Sequence, residues 1–153
     1  MEWHLNYFLN KGVSFFLIGF LSLGALAAPE FQKKKIQLGS KTLVVEVAET
    51  AKQHERGLMF RNNLGEHSGM LFIFDGEQTR FFWMKNTFID LSIGYFDGAG
   101  NLIDIQEMKS GKGIPDTALP SYPSRKPAKY ALEMNKGWFS KNKIKLGTKL
   151  KIK

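Results

Sequence analysis

Short runs of β-type residues, separated by turn residues, recur along the chain and restrict the folds open to it. The clearest run is Thr42–Ala48, TLVVEVA, in which β-branched residues alternate with other side chains. Such alternation is typical of a strand with one buried and one solvent-facing side. Comparable runs are Phe31–Leu38, Gly69–Phe74, Leu91–Phe96, Leu102–Met108 and Ala128–Met134. No alternation of strands with long helices accompanies them, so the sequence predicts a mainly β, antiparallel fold.

The chain has 153 residues, which suits a single domain of roughly 100–200 residues. A β-sandwich, a jelly roll or a closed barrel would accommodate these strands, with one short helix near residues 51–56. Thr50 and Gln53 have the spacing of a capping box, and Gly57 is typical of a helix C-terminus. From Lys141 to Lys153 lysines alternate with apolar residues, which predicts a final strand with one solvated face.

The turn residues and the charges predict which strands lie next to each other in the sheet. Asp75-Gly76 is typical of a turn, so we expect Gly69–Phe74 to pair with the strand that follows the turn. Phe31–Leu38 begins with three lysines, and lysine is frequent on strands at the edge of a sheet. We therefore expect this first strand to lie at an edge and to form a hairpin with Thr42–Ala48.

Residues 1–27 have the pattern of an export signal. An uncharged apolar stretch, Val13–Ala28, follows Lys11, and Ala25-Leu26-Ala27 fits the small-x-small pattern of a cleavage site. The stretch is shorter than the roughly 20 residues that a spanning helix needs. We predict cleavage after Ala27, leaving a periplasmic or secreted domain of residues 28–153 with no stable membrane span.

Composition excludes several kinds of site. The formal charge of +8 favours anionic partners, and export argues against nucleic acid as one of them. The absence of cysteine excludes disulfides and thiolate sites. Motifs for a serine nucleophile or a phosphate-binding glycine loop do not occur. We predict no cofactor and no metal, although Met59, Met70 and Met84 leave Cu(I) binding through thioethers as an alternative.

The densest aromatic segment is Thr79–Tyr95, TRFFWMKNTFIDLSIGY. Its aromatic residues would occupy both faces of a strand, so we expect a strand that is covered on both sides. The segment continues into Lys85-Asn86-Thr87, whose polar groups must reach a rim or find hydrogen-bond partners. These three residues could form a turn only, or they could supply the polar groups of a binding site.

The leading hypothesis is a non-catalytic binding domain for a small anionic or carbohydrate ligand of the cell envelope. Trp83 would stack on the ligand, and Arg56, Arg61 and Lys85 would hold a carboxylate or phosphate. One alternative is a hydrolase of envelope polymers that uses Asp90 or Glu133. Another is a purely structural network, in which pairs such as Arg61 with Glu133 stabilise the core.

Five segments, taken in order, resemble one known family. They are Arg56-Gly57-Leu58-Met59-Phe60-Arg61, Gly69-Met70-Leu71-Phe72-x-Phe74, Phe82-Trp83-Met84-Lys85-Asn86-Thr87, Tyr130-Ala131-Leu132-Glu133 with Gly137, and Ile144-x-x-Gly147. Over roughly residues 44–150 the chain is similar to the DUF192 (UPF0127) family of prokaryotic, often exported proteins. The resemblance implies one mostly β domain with no established activity and no catalytic residues to transfer. It marks a single cluster: Arg56, Met59, Arg61, Met70, Trp83, Lys85, Asn86, Thr87 and Glu133.

The chain departs from the family pattern just after this cluster. Where the family reads apolar-Pro-Leu-Asp, this chain reads Ile89-Asp90-Leu91-Ser92. Asp90 therefore joins the candidate ligand-binding residues, and alternation places it on the same strand face as Ser92. Gly94 also stands where a bulky apolar residue is usual.

Overall fold

The computed structural model describes residues 28–153, which are mainly β as the sequence predicts. A seven-stranded sheet curls into a half-barrel, and a second sheet contains two short strands. No helix within residues 28–153 has the length and apolar character needed to cross a membrane. The predicted export signal, residues 1–27, lies outside the described residues.

The strands and helices follow one another as β1 (Gln32–Leu38), β2 (Lys41–Ala48), α1 (Ala51–Arg56), β3 (Gly69–Gln78), β4 (Phe81–Trp83), β5 (Leu91–Phe96), β6 (Leu102–Met108), β7 (Ser121–Pro123), β8 (Ala128–Asn135), α2 (Trp138–Lys141) and β9 (Leu150–Ile152). A single 3-10 turn, Asp116–Ala118, precedes β7. The large sheet has the order β6-β5-β8-β3-β2-β1-β9, and β4 pairs with β7.

One strand pair corrects the expectation of a wholly antiparallel sheet. β2 and β3 run parallel, while the other strand pairs are antiparallel. Parallel neighbours need a long connection, and residues 49–68, which include α1, provide it. Helix α1 is the short helix that the capping box predicts, and α2 is a second helix that the sequence did not suggest.

The large sheet separates two hydrophobic clusters. On one face Leu71, Leu132 and Phe96 pack with Trp138 and Phe139 of α2. The other face buries side chains from β3, β5 and β8 under the segments around Leu58, Met84 and Tyr122; these buried side chains are Met70, Phe72, Ile93, Tyr95 and Ala131. Both faces of the central strands are therefore covered, which explains why all six residues of β5 are buried.

Gly94 fits the position that α2 takes against β5. A Cβ atom added to Gly94 would lie 2.7 Å from Cζ of Phe139 and 3.0 Å from Cδ1 of Leu102. Real carbon atoms do not approach so closely, so a larger residue at 94 would displace Phe139. The departure at Gly94 is thus matched by the aromatic ring that fills the space.

Two expectations about the aromatic segment are wrong. β3 continues through Asp75 and Gly76, and an irregularity in its pairing with β8 falls there instead of a turn. β4 then pairs with β7 and leaves the large sheet. Phe81 and Trp83 are 71% and 48% exposed, which shows that only one face of β4 is covered. The change follows from long-range pairing with a segment 40 residues away, which local patterns do not report.

The tail and the edge strand also differ from expectation. Residues 138–153 form α2, a series of turns and the short strand β9, so the long final strand is wrong. Lys143 and Gly147 turn the chain at positive φ values of 57° and 84°. β9 pairs with β1 and takes the edge position, which leaves β1 inside the sheet. The hairpin of β1 and β2 is confirmed.

Candidate functional site

A cavity of about 120 Å³ opens between α1, the residues after it, β4 and one face of the large sheet. We call it the α1–β4 cavity. Aromatic side chains from β3 and β4 form part of its walls, together with polar and charged residues. Six of the candidate residues line it: Arg56, Met59, Trp83, Lys85, Thr87 and Glu133. The tertiary structure therefore brings together residues from four separate segments of the sequence.

Helix α1 places Arg56 at this cavity. The hydroxyl of Thr50 accepts the N–H of Gln53, and the amide oxygen of Gln53 accepts the N–H of Thr50, which fixes the start of the helix. Gly57 ends it at φ 42°. The Arg56 guanidinium lies over the ring of Phe60, 4.6 Å from its centroid. Within residues 28–153 Arg56 has no ion-pair partner, so its charge is available to a ligand.

Two turns at positive φ meet beside the cavity, next to the lining residues Met59 and Lys85. Phe60 and Asn86 have positive φ values of 65° and 50°, and the N–H of Phe60 donates to the Asn86 carbonyl at 2.7 Å. A bulky side chain at positive φ is rare and costs energy, so the contact must hold the backbone there. Asn86 thus contributes its backbone conformation and its carbonyl. Nearby, Gly111 donates its N–H to Thr87, and a Cβ at Gly111 would lie 1.9 Å from the Met84 carbonyl oxygen.

Lys85 and Trp83 form the outer wall. The ammonium of Lys85 lies 2.5 Å from a carboxylate oxygen of Asp116 and 5.1 Å from the centroid of the Trp83 ring. Its charge is therefore already paired, whereas the predicted role was to hold an anion. Thr87 is buried and donates its hydroxyl to the carbonyl of Lys85 at 3.1 Å. Trp83 keeps about half of its surface exposed and can still stack on a ligand.

Glu133 supplies the inner end of the cavity. It lies in the middle of β8, opposite Met70 of β3 and Ile93 of β5, and only 4% of it is exposed. Among the described residues no group forms a hydrogen bond or ion pair with its carboxyl group. Burial disfavours the ionised form, and it raises the pKa of Glu133 to about 8. At neutral pH this carboxyl is therefore mostly protonated.

The donors nearest to this part of the cavity are already engaged. His54 lies with Nε2 3.0 Å from the carbonyl oxygens of Ala48 and of Ile73, so Nε2 carries a proton that these carbonyls accept. The Tyr95 hydroxyl donates to the Tyr122 carbonyl at 2.6 Å. Burial is the main cause that raises the pKa of Tyr95, and the charge of Glu133 adds to it. Glu133 is thus an acceptor that the surrounding side chains leave unfilled.

Arg61 and two of the three candidate methionines do not line the cavity. Arg61 forms a two-point ion pair with Glu46 of β2, one contact of which is 3.1 Å, so the hypothesised pair of Arg61 with Glu133 is not formed. Met70 is fully buried beneath the cavity in the hydrophobic cluster. Met84 is buried there as well, while only Met59 of the three methionines reaches the cavity wall.

Asp90 binds a loop outside the α1–β4 cavity. Its carboxylate accepts the N–H of Ser110 at 2.8 Å and lies 3.4 Å and 3.3 Å from the ammonium groups of Lys109 and Lys136. The Ser110 N–H is the main cause that lowers the pKa of Asp90. Ser92 donates instead to Glu107 and accepts the N–H of Gly137. Asp90 precedes β5, so strand alternation does not apply to it.

Several residues at the cavity were not among the predicted site residues. His54, Glu55, Phe72 and Phe74 all line the cavity. The His54 ring packs against the Phe74 ring at an angle of 44°, with ring centroids 4.6 Å apart. The family segments included Phe72 and Phe74, which was the available signal for them, but no local pattern linked them to α1. Within the described part of the chain, no three His, Asp or Glu side chains are grouped to hold a metal ion.

Comparison with known proteins agrees with the resemblance. Residues 33–152 match the DUF192 family, described as "Uncharacterized ACR". A crystal structure from Sinorhizobium meliloti 1021, described as a candidate transcription regulator, is 26% identical with a TM-score of 0.74, covering 82% of this chain and 98% of its own. A protein of unknown function from Novosphingobium aromaticivorans is 28% identical with a TM-score of 0.66, covering 79% of this chain and 84% of its own. No curated protein matches the sequence. The chain belongs to the DUF192 family.

Proposed function

We propose that this protein is an exported binding domain that holds a small anionic or carbohydrate ligand of the cell envelope in the α1–β4 cavity. The observation that carries the proposal is the convergence of Arg56, Trp83 and Glu133 on one cavity whose walls combine aromatic and polar side chains. Pockets of this composition bury a ligand against apolar surface and orient it with a few polar groups. The guanidinium of Arg56 supplies a fork for a carboxylate or phosphate, and Trp83 supplies an exposed ring face.

Export rests on the pattern of residues 1–27, an apolar stretch followed by Ala25-Leu26-Ala27. The predicted product is a periplasmic or secreted domain that begins near Ala28. Mass spectrometry of the protein from fractionated cells tests this directly. An intact N-terminus on protein from the cytoplasmic fraction would refute export.

A thermal-shift screen against envelope glycans, amino acids and phosphates tests ligand binding. A ligand at a hundred times its Kd should stabilise the protein by about 2.7 kcal/mol. Trp83→Ala and Arg56→Gln should remove the shift without unfolding the protein. Val44→Ala is the matched control, because Val44 is also an exposed apolar side chain, at 54%, but lies outside the cavity. If no compound in the screen shifts the midpoint, or if the cavity variants respond like the control, binding at this site is wrong.

A hydrolase of envelope polymers is the second candidate, and one observation favours it. A carboxyl with its pKa raised to about 8 can donate a proton to a leaving group at neutral pH, as general acids do. Glu133 would be this acid, and Glu55 is the other carboxyl at the cavity; Asp90 lies elsewhere. Release of reducing ends from envelope polysaccharide, abolished by Glu133→Gln but not by Asp90→Asn, would support it. No release from any polymer would refute it.

A further inference from the structure

We infer that the ligand of the α1–β4 cavity is a small zwitterion, whose ammonium group binds Glu133 and whose carboxylate or phosphate binds Arg56. The inference rests on the proposed function and names the ligand class for the same site. It comes from one juxtaposition: a cation and an acid line the same cavity, yet no ion pair joins them. A ligand with two opposite charges can satisfy both groups at once.

The inner end of the cavity favours a cation over an anion or a neutral group. Glu133 is buried at the inner end of the cavity, and the side-chain donors around it are used by backbone carbonyls. An ammonium group offers three donors and a compensating charge, which is what a buried carboxylate needs. A hydroxyl supplies one donor and no charge. An anionic group at this depth could bind only the protonated carboxyl, and the carboxylate that forms as the pH approaches about 8 would repel it.

The outer end favours an anion held mainly by Arg56. Lys85 is engaged by Asp116, so its charge contributes less to a ligand. Arg56 lies over the Phe60 ring and has no ion-pair partner within residues 28–153, so its donors are open to an anion. A planar guanidinium binds carboxylate or phosphate through two parallel hydrogen bonds. The cavity of about 120 Å³ suits a compact charged head, and Trp83 and Phe81 at its mouth can cover a ring or side chain.

The ionic contact at Glu133 links binding to pH. In the free protein its carboxyl is mostly protonated at pH 6.5 because burial raises its pKa to about 8. An ammonium group binds the ionised form, so complex formation should release close to one proton at this pH. The affinity should rise about tenfold per pH unit up to about pH 8. The other charged or titratable groups at the cavity are His54, Glu55, Arg56 and Lys85, with Tyr95 behind it.

Isothermal titration calorimetry tests the inference with two matched pairs: muramic acid against N-acetylmuramic acid, and alanine against N-acetylalanine. The two compounds of each pair differ at the amine, because acetylation converts the charged ammonium group into a neutral amide. At pH 7.5 we expect an amine-bearing compound to bind at least about tenfold more tightly than its acetylated partner. Repeating the titration at pH 6.5 in two buffers with different ionisation enthalpies measures the protons released. Glu133→Gln should lose both the preference for the amine and the pH dependence.

The outcomes distinguish a failure of the zwitterion inference from a failure of the proposed binding function. If the acetylated compounds bind as well as the free amines, or if binding releases no proton, the zwitterion is wrong while binding in the cavity stands. The same holds if only glycans or phosphates without an amine stabilise the protein in the thermal-shift screen. If no compound of any kind binds, the proposed function itself fails. The proton measurement uses the unmodified protein, so the test survives a variant that does not fold.

Discussion

Replacing Glu133 with glutamine should stabilise the ligand-free protein, and the gain should grow with pH. Glu133 is 4% exposed, its carboxyl has no partner among the described residues, and the residue lies between Met70 and Ile93. In the folded protein its pKa is raised from 4.5 to about 8 by burial. Glutamine keeps the shape of the side chain and cannot ionise, so it avoids the desolvation of a buried charge.

The size and the sign of the stability difference follow from the pKa of Glu133 in the unfolded and in the folded protein. Below pH 4.5 both the folded and the unfolded protein carry the protonated acid, and the variant gains little. As the pH rises above 4.5 the unfolded state releases the proton first, so the wild-type protein loses stability until about pH 8, where the loss levels off. The predicted advantage of the variant is about 3 kcal/mol at pH 7 and about 5 kcal/mol above pH 8, as upper limits.

Urea unfolding at pH 4.5, 7 and 8.5, followed by circular dichroism, measures this difference. Glu55→Gln is the matched control, because it removes an exposed carboxyl from the same cavity and should show no comparable gain. A Glu133→Gln advantage that is equal at all three pH values would refute the argument from ionisation. A variant that is less stable than wild type at pH 8.5 would show that the carboxylate has a partner that stabilises it.

Three further changes test how the fold supports the site. Gly94→Ala places a methyl group 2.7 Å from Phe139 and should cost about 1–3 kcal/mol in urea unfolding, and no loss would mean that α2 moves freely. Asn86→Gly keeps the positive φ and should preserve stability and ligand binding. Asn86→Ala should lower the free energy of unfolding by about 1 kcal/mol. Loss of binding in the glycine variant would show that the amide side chain of Asn86 contributes to the site. Arg61→Ala breaks the half-buried pair with Glu46 and should lower the free energy of unfolding by about 1 kcal/mol. It should leave ligand binding unchanged, and a weaker affinity in calorimetry would contradict this.

Local patterns predicted much of the β structure. The strands β2, β5, β6 and β8 occur where alternation or apolar runs suggested them, and the capping box located α1 to the residue. These features depend on contacts within a few residues, so the sequence reports them directly. The tail was wrong because lysines in successive turns produced the same alternation as a strand.

Part of the predicted residue cluster lies at one cavity, while its role in ligand binding stays a prediction. Arg56, Trp83 and Glu133 do meet at one cavity, although they are far apart in the sequence. Lys85 and Arg61 proved to be paired with Asp116 and Glu46. Charge partners from other segments decide whether a cation is free for a ligand, and sequence spacing does not contain that information.

The sequence by itself determined the β-rich composition, the short capped helix and the family motifs. These follow from side-chain chemistry and near-neighbour geometry. Only the tertiary structure decided that β2 and β3 are parallel, that β4 lies outside the large sheet with Trp83 exposed, and that Glu133 is buried without a partner within residues 28–153. The physical reason is that strand pairing, burial and the pKa shift of Glu133 depend on atoms from distant segments, which come together only when the chain folds.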